Sequence, residues 1–141
     1  MAGTVKYTRQ GDVHTFDIGL PGLEKIVIDH TGVPEEQRGG VAKQLLACAA
    51  LSCYTAALAG ALEARGAHYT VITAESGMEL GANDVGQGRV RRMHLDVSVE
   101  LPAQDSDIFN RCAKIMKKGC LVTGSLHEGI DMTYDLTPKY D

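Results

Sequence analysis

The segment from Leu45 to Leu62 most constrains how this chain folds. It contains no proline and is apolar nearly all round, so a helix built from it must be covered on most sides. The chain has 141 residues, enough for one domain spanning residues 1–141, but one small sheet cannot cover such a helix. The pattern therefore predicts an intimate homodimer. Because alanine dominates the segment, its transfer free energy is too weak for a membrane span, and we expect no membrane partner.

Strand patterns precede this helix. Residues around Tyr7 and Val13 alternate as strands do, and Gln10, Gly11 and Asp12 form a turn signal between them. Leu23 to His30 predicts a third strand, so the chain opens as a β-meander. A loop over residues 31–40 follows, and the long central helix is predicted from Val41 to about Arg65, with Gly66 at its carboxyl end.

Further strands and a second helix follow Gly66, which predicts a mixed α/β (α+β) fold. Strands are expected at Tyr69–Ala74 and Met93–Leu101, with a glycine-rich loop between Gly77 and Gly88. The remaining expected elements are a helix capped by Asp105 or Ser106 and running to Lys118, a short helical turn from Cys120 to Leu126, and a final strand from Ile130 to Leu136.

Charge and the amino terminus limit the function classes. The chain has 14 basic and 18 acidic residues and a formal net charge of −4. Nucleic-acid binding usually needs a basic face, so no nucleic-acid partner is expected. The opening residues MAGTVKYTRQGD lack the apolar core of a secretory signal, which predicts a cytoplasmic location.

Four cysteines carry the chemistry. No two of them form a C-x-x-C pair, so a structural metal site is not expected. No cofactor is expected either. Cys48 and Cys53 lie about 140° apart round one helix, so they face different surroundings. Cys48 and Cys112 are predicted to be small buried hydrophobic residues. Cys53 has an apolar neighbourhood, which raises a thiol pKa unless a cation is supplied from elsewhere.

Cys120 has a different local setting. It follows Lys117 and Lys118 and lies where a helical turn begins, and both features favour a thiolate.

The order helix, cysteine, two strands, helix, cysteine matches a known pattern. AKQLLACAALSCYTAALAGALEARG, followed by the strand pair and then IFNRCAKIMKKGCLVTGSLHEGIDMTYDL, resembles the OsmC/Ohr superfamily over roughly residues 40–136. The resemblance implies an OsmC-like fold assembled as an intertwined homodimer, and a thiol peroxidase acting on organic hydroperoxides. It also implies that Cys53 is the peroxidatic thiolate, that Cys120 resolves it to a disulfide, and that an external dithiol reduces the pair.

The resemblance further implies a cation that holds the Cys53 thiolate, itself held by a glutamate. Arg9 matches the expected arginine best, and Arg38 is the reserve candidate. Lys43 stands where the glutamate is expected; it is either a cation in its own right or solvated. Glu35 and Glu36 are the candidate replacement anchors.

Three functions from different classes follow. The first is the hydroperoxide reductase that uses Cys53, Cys120 and Arg9. The second, suggested by Lys43, is an OsmC-like dimer of little or no catalytic activity that binds a small hydrophobic ligand at the subunit interface. The third is a structural or interaction protein whose thiols are core residues and resist alkylation.

Overall fold

A computed structural model of the chain describes residues 2–140. By the contacts between its residues the chain divides into two compact units, Met1–Val41 and Ala42–Asp141. The first unit holds a three-stranded sheet, and the second holds a two-stranded sheet with three α-helices. The architecture is therefore the mixed α+β class that the sequence predicts. The extent of a single domain over residues 1–141 stays a prediction.

The first unit is the predicted β-meander. Strands β1 (Lys6–Gln10), β2 (Val13–Leu20) and β3 (Leu23–Asp29) pair antiparallel in that order. Gly11 has a φ of +60° in the β1–β2 turn, a conformation that residues with a Cβ avoid. The turn signals in the sequence thus set the order and the register of this sheet.

Helix α1 (Val41–Ala64) ends where the sequence predicts. Gly66 has a φ of +78°, and the Ala67 amide donates to the Leu62 carbonyl at 3.0 Å, which closes the last turn. Four residues of this helix are buried in the described chain: Ala47, Ala50, Leu58 and Leu62. The segment Glu35–Ala64 is long and apolar enough to cross a membrane, but the core helices of soluble proteins meet the same criterion. In its most apolar window, 22% of the residues are buried. Few residues of this apolar helix are thus fully buried within the described part of the chain.

A long hairpin follows α1. Strands β4 (Val71–Ala82) and β5 (Gly88–Glu100) pair antiparallel, and the connecting turn is confined to residues 83–87. The predicted loop from Gly77 to Gly88 is therefore wrong for most of its length, because glycines 77 and 81 continue the β4 ladder. The Asn83 side chain closes the turn by accepting the backbone amides of Val85 and Gln87.

Two helices complete the second unit. Helix α2 (Ser106–Met116) and helix α3 (Leu121–Glu128) are separated by Gly119. Asp105 stands at the N-cap of α2 but makes no side-chain cap there; its carboxylate instead accepts the His68 amide at 2.8 Å. That buried hydrogen bond ties the start of α2 to the segment before β4.

The core of this unit lies between α1 and α2. Leu58, Leu62, Cys112 and Met116 form one buried cluster, and Val97 and Val99 of β5 pack against it. Cys112 is fully buried, as predicted, whereas Cys48 is exposed and the prediction that it is buried is wrong for the single chain. Cys48 lies on a surface of α1 that nothing in the described chain covers.

The predicted final strand from Ile130 to Leu136 is absent. Residues 129–140 adopt no regular structure, and no strand of the described chain pairs with them. Tyr134 and Leu136 are 82% and 98% exposed, so the apolar positions of this alternating segment are uncovered. Alternation alone does not form a strand, because the backbone also needs a partner edge for its hydrogen bonds.

Leu62→Ala tests the position of this core. Leu62 is completely buried, so we expect the free energy of unfolding to fall by about 2–5 kcal/mol in chemical denaturation. Leu136→Ala removes the same atoms at an exposed site and should change it by less than about 0.5 kcal/mol. Equal effects of the two substitutions would contradict the packing described.

Candidate active site

Two of the four cysteines meet at the amino-terminal end of α3. Cys53 comes from the middle of α1, and Cys120 immediately precedes α3. The two thiols are close enough for each to shift the pKa of the other, and both are free and half-buried. The structure thus brings together the two residues that the sequence singled out as a pair.

Cys120 is the N-cap residue of α3. Its backbone is extended (φ −115°, ψ −174°), and its Sγ accepts the Thr123 backbone amide at 3.5 Å. In return, the Cys120 backbone amide donates to Thr123 Oγ1 at 2.9 Å. This reciprocal arrangement is a capping box, with sulfur in the place that serine or threonine oxygen usually takes.

Cys53 faces the same helix end from α1. The Val122 amide, in the first turn of α3, donates to Cys53 Sγ at 3.4 Å. Unpaired backbone amides at a helix amino terminus carry partial positive charge and stabilise a nearby anion. The end of α3 therefore presents donors to both sulfurs, an arrangement that favours one thiolate within the pair.

The two thiols have opposite pKa shifts. The hydrogen bond with Cys120 raises the pKa of Cys53, and burial adds to this, against the opposing effect of the Val122 amide. For Cys120, burial acts to raise the pKa, but hydrogen bonds from Cys53 and from Thr123 outweigh it and lower the pKa overall. Of the two thiols, Cys120 is accordingly the one that gives up its proton more readily.

These directions agree with what the local sequence suggests for each thiol, although the causes differ. The sequence argument for Cys120 relied partly on Lys117 and Lys118, both of which are exposed. The largest effects on the pKa of Cys120 are burial and hydrogen bonds rather than a neighbouring cation.

The predicted cationic residues have varied settings. Arg9 and Arg38 belong to the unit Met1–Val41. Arg9 is exposed and its Nε donates to the Gly11 carbonyl at 3.5 Å, within its own turn. Lys43 is exposed in the first turn of α1.

Arg38 is held more firmly than Arg9. Its Nε donates to the Val33 carbonyl at 2.8 Å, and its Nη1 pairs with the Asp12 carboxylate at 3.0 Å. Glu35 and Glu36 form an exposed 3-10 turn, and neither is ion-paired in the described part of the chain. Asp12 thus provides the carboxylate that holds Arg38, whereas the sequence offered only Glu35 and Glu36 as candidate anchors.

A groove of about 750 Å³ lies close to the thiol pair in the chain, although neither Cys53 nor Cys120 lines it. Its walls include immediate neighbours of both cysteines, namely Tyr54, Gly119 and Thr123. The apolar lining includes Leu46, Ala50, Val90, Met93, Leu95, Met116 and Leu126. The cations along it are Arg91, Arg92, Lys117 and Lys118. His127 and Glu128 also line the groove, which therefore combines apolar side chains with charged ones that are mostly basic.

Sequence reasoning missed Thr123. A threonine three residues after an N-cap position is a capping-box signal, and here it follows a glycine that ends the preceding helix. That spacing could have identified Thr123, but cysteine is not among the residues usually expected at an N-cap.

Comparison with known proteins assigns the family. The model of the family described as OsmC-like protein matches residues 36–135, which include both cysteines of the pair. The chain belongs to the OsmC-like family. No curated protein matches the sequence of this OsmC-like chain.

Solved structures share the fold. A protein from Psychrobacter arcticus 273-4, named for an osmotic stress induced and detoxification response, is 23% identical with a TM-score of 0.60, and the match covers 89% of this chain and 88% of that one. An OsmC-like protein of unknown function from Vibrio cholerae O1 biovar eltor is 16% identical, also with a TM-score of 0.60, and the match covers 86% of this chain and 91% of that one. At these identities the likeness concerns the fold.

Alkylation of the reduced protein over a range of pH tests the charge distribution in the pair. Because the pKa of Cys120 is lowered, its thiolate persists to lower pH, and its half-maximal reaction with iodoacetamide should occur below that of free cysteine. Cys53→Ala removes one donor and should move this profile to higher pH. Cys48→Ser, at an exposed thiol, should leave it unchanged. Peptide mass spectrometry reports each site, and a Cys120 profile unaffected by Cys53→Ala would refute the shared proton.

Proposed function

We propose that this OsmC-like protein is a thiol-dependent peroxidase that reduces organic hydroperoxides. The observation that carries the proposal is the contact between Cys53 and Cys120 at the amino terminus of α3. Two free, half-buried thiols that face the same helix end can be oxidised to a disulfide, and hydrogen-bond donors stabilise the thiolate that the chemistry requires.

The reaction uses two electrons from the thiol pair and needs no cofactor. The Cys53 thiolate attacks the O–O bond of the hydroperoxide, forming a sulfenic acid and releasing an alkoxide that takes up a proton to become the alcohol. The Cys120 thiolate then attacks the Cys53 sulfur, and the hydroxide that leaves takes up a proton to become water. An external dithiol reduces the resulting disulfide and is itself oxidised.

The pKa directions make Cys120 the more acidic thiol, so the first step requires that the Cys53 proton be transferred before Cys53 can attack. The Cys53 proton moves to Cys120 along their shared hydrogen bond, so Cys53 becomes the nucleophile without proton loss to solvent. Cys120 then loses that proton and becomes the nucleophile of the second step. Each thiol thus serves as the proton partner of the other.

The groove beside the pair supports an apolar substrate. Its lining suits the hydrocarbon portion of an organic hydroperoxide, and its walls lead past Tyr54 and Thr123, next to the two cysteines. Arg9 remains the proposed activating cation, with Arg38 in reserve and Lys43 as a further cation.

The decisive experiment treats the reduced protein with one equivalent of cumene hydroperoxide and maps disulfides by peptide mass spectrometry. We expect a Cys53–Cys120 disulfide. Cys120→Ser should instead accumulate sulfenic acid on Cys53, trapped with dimedone, while Cys53→Ser should form neither product. Cys48→Ser serves as the matched control at an exposed thiol outside the pair and should behave as the wild type.

Two other results would redirect the assignment. Sulfenic acid on Cys120 in the Cys53→Ser variant would exchange the roles of the two cysteines. Thiols that stay reduced would exclude the peroxidase. The 750 Å³ groove would then favour the second candidate function, an OsmC-like protein that binds a small hydrophobic ligand. Binding of that ligand at the subunit interface, as the sequence predicts, is a separate proposal.

We also propose a homodimer. Only four of the 24 residues of α1 are buried in the described chain, and apolar side chains such as Met132, Tyr134 and Leu136 are exposed in the carboxyl-terminal segment. A second subunit is the simplest partner to cover these apolar side chains.

Light scattering should give twice the chain mass of 15.1 kDa at micromolar concentration. Ala56→Glu places a charge on an exposed position in the middle of α1 and should weaken the dimer, because burial of an unpaired charge is unfavourable. Ala2→Glu, at an exposed position near the amino terminus, is the control. A monomeric mass for the wild type would contradict the proposal.

A further inference from the structure

We propose that Thr123 is a positioning residue that holds Cys120 as the thiolate for disulfide formation, an inference that rests on the proposed peroxidase function. It makes three contacts with Cys120: its hydroxyl accepts the Cys120 amide, its hydroxyl lies 3.1 Å from Cys120 Sγ, and its backbone amide points at the same sulfur. No other residue of the described chain makes as many hydrogen bonds to either thiol.

The direction of the hydroxyl proton follows from hydrogen-bond chemistry. A threonine hydroxyl has one proton and two lone pairs. One lone pair of Oγ1 is occupied by the Cys120 amide at 2.9 Å, so the proton remains available. Either atom can donate at 3.1 Å, but a thiolate has no proton to give, so the hydroxyl donates to Cys120 Sγ whenever Cys120 is deprotonated. The side chain of Thr123 is thus oriented to favour the deprotonated form of Cys120.

Gly119 makes room for this hydroxyl. Its φ is +77°, and a Cβ built on it would lie 2.8 Å from Thr123 Oγ1 and 3.3 Å from the Gly124 amide nitrogen. Any side chain at position 119 would displace the hydroxyl from its place against the sulfur. Gly119 therefore has two roles: it ends the preceding turn, and it leaves the space next to Cys120 that the Thr123 hydroxyl occupies.

The contribution of Thr123 becomes decisive in the second chemical step. In the reduced protein, the Cys53 thiol also helps to lower the pKa of Cys120. Once Cys53 is a sulfenic acid, its S–H is replaced by the hydroxyl group that will leave, whereas the amide and hydroxyl of Thr123 stay in place at Cys120. Cys120 must be a thiolate at that moment, because its sulfur attacks Cys53 and expels hydroxide. Cys53 on α1 is the titratable group that shifts the pKa of Cys120. The exposed residues Lys117 and Lys118 come shortly before Cys120 in the chain.

The test separates the two steps after mixing reduced protein with one equivalent of cumene hydroperoxide. Thr123→Val keeps the shape of the side chain and removes the hydroxyl. Disulfide formation should slow by about tenfold near neutral pH, the scale expected for one hydrogen bond to a charged group, and its rate should reach half-maximum at higher pH. Sulfenic acid on Cys53 should form no more slowly than in the wild type and should accumulate.

Three controls identify the cause. Thr123→Ser restores the hydroxyl and should restore both the rate and its pH profile. Gly119→Ala should reproduce the Thr123→Val effect with the hydroxyl still in the sequence. Ser125→Ala removes a hydroxyl of the same helix that contacts neither cysteine in the described chain, and it should have no effect. A Thr123→Val protein that forms the disulfide at the wild-type rate, or a Thr123→Ser protein as slow as Thr123→Val, would overturn the proposal.

A second measurement keeps the inference testable should the wild type not react with the hydroperoxide. In the Cys53→Ala background, Thr123→Val should move the iodoacetamide reaction of Cys120 to higher pH, and Thr123→Ser should restore it. An unchanged profile would refute the role of Thr123. A shifted profile in a protein that leaves cumene hydroperoxide untouched would instead support the role of Thr123 and reject the peroxidase.

Discussion

The amino terminus of α3 is the constraint on which the site depends. One helix end supplies the Val122 amide to Cys53 and the Thr123 amide to Cys120, so a single set of backbone groups orients two sulfurs that come from distant parts of the chain. Because backbone amides at a helix start have no partner within the helix, they are available for this purpose without loss of any other bond. The position of α3 against α1 therefore decides whether the thiols meet.

This way of holding a thiolate differs from one that relies on a neighbouring cation. Exposed cations are screened by salt over distances of about 8–10 Å at ordinary ionic strength. Hydrogen bonds from Thr123 and from Cys53 act at contact distance in a half-buried setting, and salt affects them less. The charge of the reduced pair accordingly depends on the local structure of α3, whatever role Arg9, Arg38 or Lys43 has in the reaction of Cys53.

Much of the fold could be predicted because local signals were strong. Turn glycines and alternating residues identified the meander, and Gly66 identified the end of α1. The long β4–β5 ladder was underestimated because glycines 77 and 81 look like loop residues, while pairing with β5 decides their conformation. The final strand failed for the opposite reason, since its alternation is clear but the described chain offers no edge to pair with it. The cysteine pair could be predicted from the family resemblance, and the bonds between Cys120 and Thr123 follow a local capping-box spacing. The hydrogen bond from the Val122 amide to Cys53 depends on a tertiary contact that no local pattern encodes.

The separation of the two sulfurs along the chain has a consequence for how the protein matures. Neighbouring strands of each sheet are joined by short turns, whereas Cys53 and the amide that contacts it are 69 residues apart. Closing a long loop costs more entropy than closing a turn, so the hairpins form early and the contact between α1 and α3 forms late. The thiol pair is thus a product of completed folding, and a nascent or partly folded chain carries four separated cysteines without the reactive pair.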